Sequence, residues 1–383
     1  MHVGAPKTGT TYIQDVLWTN RPTLRHYGVL YPGPGYSAHF HAAMDLQNSR
    51  FQGYEDPAVP GAWDRLVEQA RAWDGTVIVS HELLSVARPE HVERAMETLG
   101  FAEIHVIYTA RSLARQIPAA WQEDVKNRGT MAFEDFVRAV HDPEQGKHKP
   151  GTKSFWRMQD ATNVLERWGR HLPRDRVHVV TVPPPGAAED ELWRRFAGLV
   201  GLDPERYDTT AGGGNKSLGA TEANLLRRVN VLLRGQVGWP VYDHLVKQYL
   251  AQNVLVQRPD ATKIVLPPEE HPWVAKRSEE IVDGLRSAGY HIVGDLDELL
   301  LAPPRDDERP RQPEDVTDQE MLDAAVDAIA GLVIRARRQS GPIPQASDAV
   351  RRVVRDLSER HRSVMRLRRL YWKSRDRTAR PRS

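Results

Sequence analysis

The chain of 383 residues contains no cysteine. That excludes thiol nucleophiles, disulfides and every cysteine-ligated zinc or iron–sulfur site, and it suits a reducing cytoplasm. No apolar run approaches the roughly 20 residues of a membrane-spanning helix, and no charged-then-apolar signal segment opens the sequence, so a soluble cytoplasmic protein is expected. Net charge is also small, at a formal +2. That balance conceals an asymmetry. Residues 351–383 carry thirteen Arg or Lys against three acids, a tail of +10 behind a body of −8. What is present, 40% apolar and 27% charged residues, excludes general disorder and suffices for one large domain with elaborations or two modest ones.

Short β-branched runs at Thr76 to Val79, Ile104 to Tyr108, Val177 to Val182 and Tyr290 to Val293 alternate with helical patterns such as Ala62 to Trp73 and His91 to Leu99. Alternation of this kind predicts an α/β fold, a central parallel sheet covered by helices on both faces. The opening strand, Met1 to Val3, is short, which implies either a stub or a start codon upstream. Residues 129–160 read as a charged insertion with a basic cluster at Lys147, His148, Lys149 and Lys153. The organisation expected is a catalytic domain over 1–301, a Pro- and acid-rich linker over 302–315, and a helical extension over 316–383 ending in the basic tail. In that extension Met321, Leu322, Ala325, Val326, Ile329 and Val333 are spaced for one helical face.

The strongest chemical signal is Gly4-Ala5-Pro6-Lys7-Thr8-Gly9-Thr10-Thr11, set between a strand and a helix. Glycines let backbone N–H groups curl around an anion, the helix presents its positive end, and Lys7 adds a full charge. Nucleotide-triphosphatase loops place lysine directly after the second glycine; here Thr10 holds that position and Lys7 lies inside the loop.

Pro6-Lys7-Thr8-Gly9-Thr10-Thr11 resembles the 5′-phosphosulfate loop of sulfotransferases that use 3′-phosphoadenosine 5′-phosphosulfate (PAPS), whose pattern is Pro-Lys-Ser/Thr-Gly-Thr-Thr. The resemblance covers most of residues 1–300 and implies a fold like that of nucleotide kinases, with PAPS as donor and no metal. It implies that Lys7, Thr8, Gly9, Thr10 and Thr11 hold the 5′-phosphate, that Lys7 also compensates the leaving oxygen, and that Tyr12 lies against the adenine. In the family a later strand leads to an arginine that binds the 3′-phosphate, with a serine eight residues on. Here Arg111 matches, while the second position is Ala119, a departure that Arg115 or Gln122 can cover. Asn215 and Ser217 fall where members often have a loop closing over the nucleotide.

Transfer to a hydroxyl requires a base within hydrogen-bond reach. Ser80-His81-Glu82 ends a predicted core strand, on the edge where open parallel sheets bind ligands. The resemblance implies His81 as first candidate and Glu82 as second. Acceptor recognition is assigned to Tyr31, His39, His41 and Trp156, whose rings can stack on or bond to a sugar. His39 and His41 lack further ligands at telling spacing, so no metal site is expected. The acceptor implied is a carbohydrate, glycolipid or secondary metabolite. Two other classes stay open: a small-molecule kinase, and a nucleotide-binding scaffold without catalysis. The tail pairs an apolar stripe with dense arginine and is assigned to subunit packing or peripheral membrane contact rather than nucleic acid, since its aromatics are few and it carries no recognised binding module.

Overall fold

The β-branched runs become strands that pair in parallel throughout. In the computed structural model, which describes residues 1–210, 217–259, 261–302 and 311–339, β1 (Val29–Leu30) pairs with β2 (Thr76–Val77). Beyond them β3 (Val106–Ala110) pairs with β4 (Val177–Thr181), and β4 with β5 (His291–Val293). Every residue of β3 and β4 is buried, as strands covered on both faces must be.

The N-terminal segment joins the two groups of strands. His2 bridges in parallel to Ser80 on one side and to Ile107 on the other. His2 N–H donates to Val79 O at 2.7 Å, Val3 N–H to Ile107 O at 2.9 Å, and Ala5 N–H to Thr109 O at 3.1 Å. The short opening strand therefore holds a central position, with β2 on one flank and β3 on the other. Because the chain leaves it first for one edge and later for the other, the order reverses beside this opening strand. That reversal is where open parallel sheets form a ligand crevice beyond their carboxyl ends.

Helices cover the strands through apolar stripes. Thr10–Thr19 buries Ile13, Val16 and Leu17 in a cluster with Ile78, Ile107, Val180, Trp193 and Phe196. Full burial of such side chains is worth about 1.5–3 kcal/mol each, which anchors the helix and the loop before it. Among the described residues, no helix is long and apolar enough to cross a membrane.

Several sequence expectations change here. The 129–160 stretch is no surface insertion: it forms helices Phe133–His141 and Phe155–Gln159, and Phe133, Phe136 and Phe155 are buried. The stretch before His41 supplies β1 and the start of the helix Ala38–Leu46. The short α-helix Trp239–Tyr242 runs on into a π-helical segment, Asp243–Val254. Of the predicted linker, residues 311–315 are held by the body, with Glu314 accepting from Phe133 N–H at 2.7 Å and Pro313 O from Asn224 at 2.8 Å.

The chain divides into two units, Met1–Ala328 and Ile329–Ser383. The helix Asp318–Gln339 buries Met321, Ala324 and Ala328, while Leu322 and Val326 are exposed. The small face packs because its alanines permit close approach; Ile329 and Val333 belong to the second unit. The basic tail lies outside the described residues.

Candidate active site

Three chain segments leave the carboxyl edge of the sheet beside the opening strand: the glycine loop, Ser80 leading to His81 and Glu82, and Ala110 leading to Arg111. All three open on one cleft of about 2700 Å³. The cleft is lined by Lys7, Gly9, Thr10, Thr11 and Tyr12 of the loop, and by His41, His81, Glu82, Arg111, Ala119 and Ser217. Arg115 and Gln122 line it as well.

The loop geometry follows from its residue types. Gly9 caps Thr10–Thr19 at φ 83°, and a Cβ there would stand 2.3 Å from Leu192 Cδ2, so only glycine fits. Lys7 is also left-handed, at φ 66°, a conformation costly for a residue with a Cβ and common at functional sites. No side chain caps this helix and its first turn holds no acid, which leaves the unpaired amides of that turn with their positive partial charge. Thr8 is buried instead: its hydroxyl donates to Ala5 O at 2.5 Å and meets the Thr109 hydroxyl at 2.5 Å. It braces the loop from below.

Arg111 donates from Nη1 to Lys7 O at 3.0 Å, and its buried Nε has no partner. Burial, and then neighbouring Arg115, lower its pKa from 12.5 to about 10, so it stays charged at neutral pH with its positive charge under-compensated. Arg115 is tied to Pro183 O at 3.0 Å. Two guanidiniums and an uncapped helix end facing one cleft are suited to an anion.

His81 and Glu82 differ in what they have free. His81 Nδ1 accepts from Leu83 N–H at 3.2 Å, which places the proton of the neutral ring on Nε2. Burial holds its pKa below the ordinary value. Glu82 Oε2 accepts from Gln14 at 3.1 Å, and the carboxyl faces the cleft. Although burial opposes its charge, His81, its own backbone N–H and Gln14 hold the Glu82 carboxyl below its ordinary value, so it is an anion.

Of the residues assigned to the acceptor, only His41 lines this cleft, 3.3 Å from Asp56. Tyr31 and His39 are buried and stacked on one another, centroids 4.2 Å apart. His39 donates from Nε2 to Pro32 O at 2.9 Å and accepts at Nδ1 from Ser80 N–H at 3.2 Å, a strut beneath the strand end rather than a surface group. Trp156 donates to Val140 O at 2.8 Å and faces a separate cavity of about 570 Å³ with Arg88, Lys147 and Lys153. Asn215 lies outside the described residues. Among the described residues no group of three or more His, Asp or Glu is arranged to hold a metal ion.

The sequence reading missed the ion cluster beside Lys7. Glu123 receives Lys7 at 3.1 Å, Lys247 at 3.2 Å and Lys126 at 3.8 Å. Burial disfavours its charge, but Lys7, Lys247 and Lys126 hold the carboxyl well below the usual range, so it cannot accept a proton near neutral pH. The only local signal was the i, i+3 spacing of Glu123 and Lys126, which any solvated helix face shows.

No protein-family model matches the chain, and no curated protein matches it. Among solved structures it is similar to a sulfotransferase from Alicyclobacillus acidocaldarius at 17% identity, over 63% of this chain and 96% of that one, with a TM-score of 0.39.

Proposed function

We propose that this protein is a sulfotransferase that moves a sulfuryl group from PAPS to a hydroxyl of a carbohydrate, glycolipid or secondary metabolite. The observation that supports this reading is the opening of three strand ends, carrying Lys7, His81 with Glu82, and Arg111, on a single cleft. The uncapped start of Thr10–Thr19 and the loop before it suit the donor's 5′-phosphate. Arg111, with its unpartnered Nε, and Arg115 suit the 3′-phosphate, and Arg115 stands in for the hydroxyl that Ala119 lacks. Single drug-sized ligands occupy about 300–1,000 Å³, so a cleft of about 2700 Å³ has room for donor and acceptor together.

In this scheme the acceptor oxygen bonds to sulfur as the bond from sulfur to the 5′-phosphate oxygen breaks, and the hydroxyl proton passes to a base. Negative charge grows on the departing oxygen, where Lys7 and the loop amides compensate it. Glu82 takes the proton, since it lines the cleft as a carboxylate while the lone pair of His81 Nδ1 is spent on Leu83. His81 then serves as a neutral donor through Nε2. Incubation with PAPS labelled in its sulfuryl group and a panel of hydroxyl acceptors tests the reading. Label transfer without magnesium supports it; turnover of magnesium–ATP in its place assigns the cleft to a kinase.

A further inference from the structure

The scheme above leaves Glu123, Lys126 and Lys247 without a role. Glu123 is one carboxylate among three ammonium groups, with Lys7 on Oε2 at 3.1 Å and Lys247 on Oε1 at 3.2 Å. Asn127 fixes the arrangement, accepting from Lys247 at 2.7 Å and donating to Glu123 at 3.1 Å. A purely structural ion cluster is stable when its charges balance, because uncompensated charge away from water is costly. This one has an excess of two positive charges. Burial, and after it Lys7 and Lys247, lower the Lys126 pKa from 10.5 to about 8 against the opposing pull of Glu123. Lys126 is almost wholly covered, whereas Lys7 and Lys247 keep part of their side chains exposed in the cleft. Lys247 also stands on the π-helical segment Asp243–Val254, a rare geometry that recurs at functional sites.

We propose that Lys247 is a second cationic ligand of the transferred sulfuryl group, held ready together with Lys7 by the shared carboxylate of Glu123. The inference rests on the sulfotransferase reading and extends it to a residue 240 positions from the loop. As the anion arrives, its oxygens replace Glu123 as partners of the two ammonium groups, and its single negative charge offsets part of the excess.

The test uses adenosine 3′,5′-bisphosphate and inorganic sulfate, which together reproduce the donor in two pieces. Calorimetry measures sulfate binding to the protein saturated with bisphosphate, for the wild type, Lys247→Met and Lys247→Arg. The expected result is sulfate uptake by the wild type, weakened at least tenfold in Lys247→Met and partly restored in Lys247→Arg, with bisphosphate affinity changed less than threefold. A wild-type complex that takes up no sulfate, or a Lys247→Met complex that takes it up unchanged, overturns the proposal. So does a variant that loses bisphosphate and sulfate alike. Failure of the wild type to bind the bisphosphate overturns the sulfotransferase reading itself. A thermal melt of each variant separates these outcomes from misfolding.

Discussion

Lowering the pH should unfold this protein through two histidines that play no part in the cleft. His39 spends both nitrogens, donating to Pro32 O and accepting from Ser80 N–H, and His2 bonds Ser80 Oγ at 2.8 Å and Thr109 Oγ1 at 3.3 Å. Protonation of His39 would turn an N–H toward the Ser80 N–H. Burial, the dominant cause, lowers both from 6.5 to about 3. Since the unfolded chain binds these protons first, stability is intact above pH 6.5 and lost as the pH falls toward 3. The slope is about 1.4 kcal/mol per pH unit for each group, so from pH 7 to pH 5 each contributes a loss of about 2 kcal/mol. Together they remove about 4 kcal/mol from a total that in most domains is about 5–15 kcal/mol. Urea unfolding at pH 7 and pH 5 measures the loss. In His39→Gln, which keeps a donor and an acceptor but does not titrate, the difference between the two pH values should shrink by about 2 kcal/mol. An unchanged difference would refute the reasoning, as would an imidazole resonance of His39 in the folded wild type that titrates near pH 6.

Three further outcomes follow from the site. Lys7→Met should reduce transfer by more than about 100-fold. It should change stability by less than about 1 kcal/mol, because its ion pair with Glu123 is partly exposed; steady-state rates and a denaturation curve report the two. Glu82→Gln should lower kcat by about 100- to 10,000-fold with little change in donor affinity, and His81→Gln should lower it less; the opposite order in a rate assay would return the base to His81. Gly9→Ala should weaken bisphosphate binding and depress the melting temperature, since φ 83° is strained for a residue with a Cβ and that Cβ would push Leu192 aside; a variant that binds normally would contradict the loop geometry.

The parts legible in the sequence were those with local punctuation. The parallel sheet was announced by β-branched runs, and the loop by two glycines around a lysine. The sequence could place Arg111 at the sheet edge because it directly follows β3, and His81 and Glu82 there because they follow the run that ends in the Ser80 bridge. What was not legible depends on packing between distant segments. Nothing near Lys247 says that it meets Lys7 and Glu123, and nothing local says that the rings of Tyr31 and His39, eight positions apart, stack in the core. The Phe133 and Phe136 spacing in 129–160 did carry a helical signal, outweighed by the charges around it. In the helix Asp318–Gln339 hydrophobicity pointed to Leu322 and Val326, whereas the small side chains Ala324 and Ala328 decide which face is covered.

The central claim is that the cleft binds the nucleotide part of PAPS through the loop and Arg111, and the most direct test is calorimetric titration with adenosine 3′,5′-bisphosphate beside ATP, each with and without magnesium. The account predicts micromolar binding of the bisphosphate that is indifferent to magnesium and weakened in Arg111→Ala. A preference for magnesium–ATP, or bisphosphate binding that Arg111→Ala leaves intact, would contradict it.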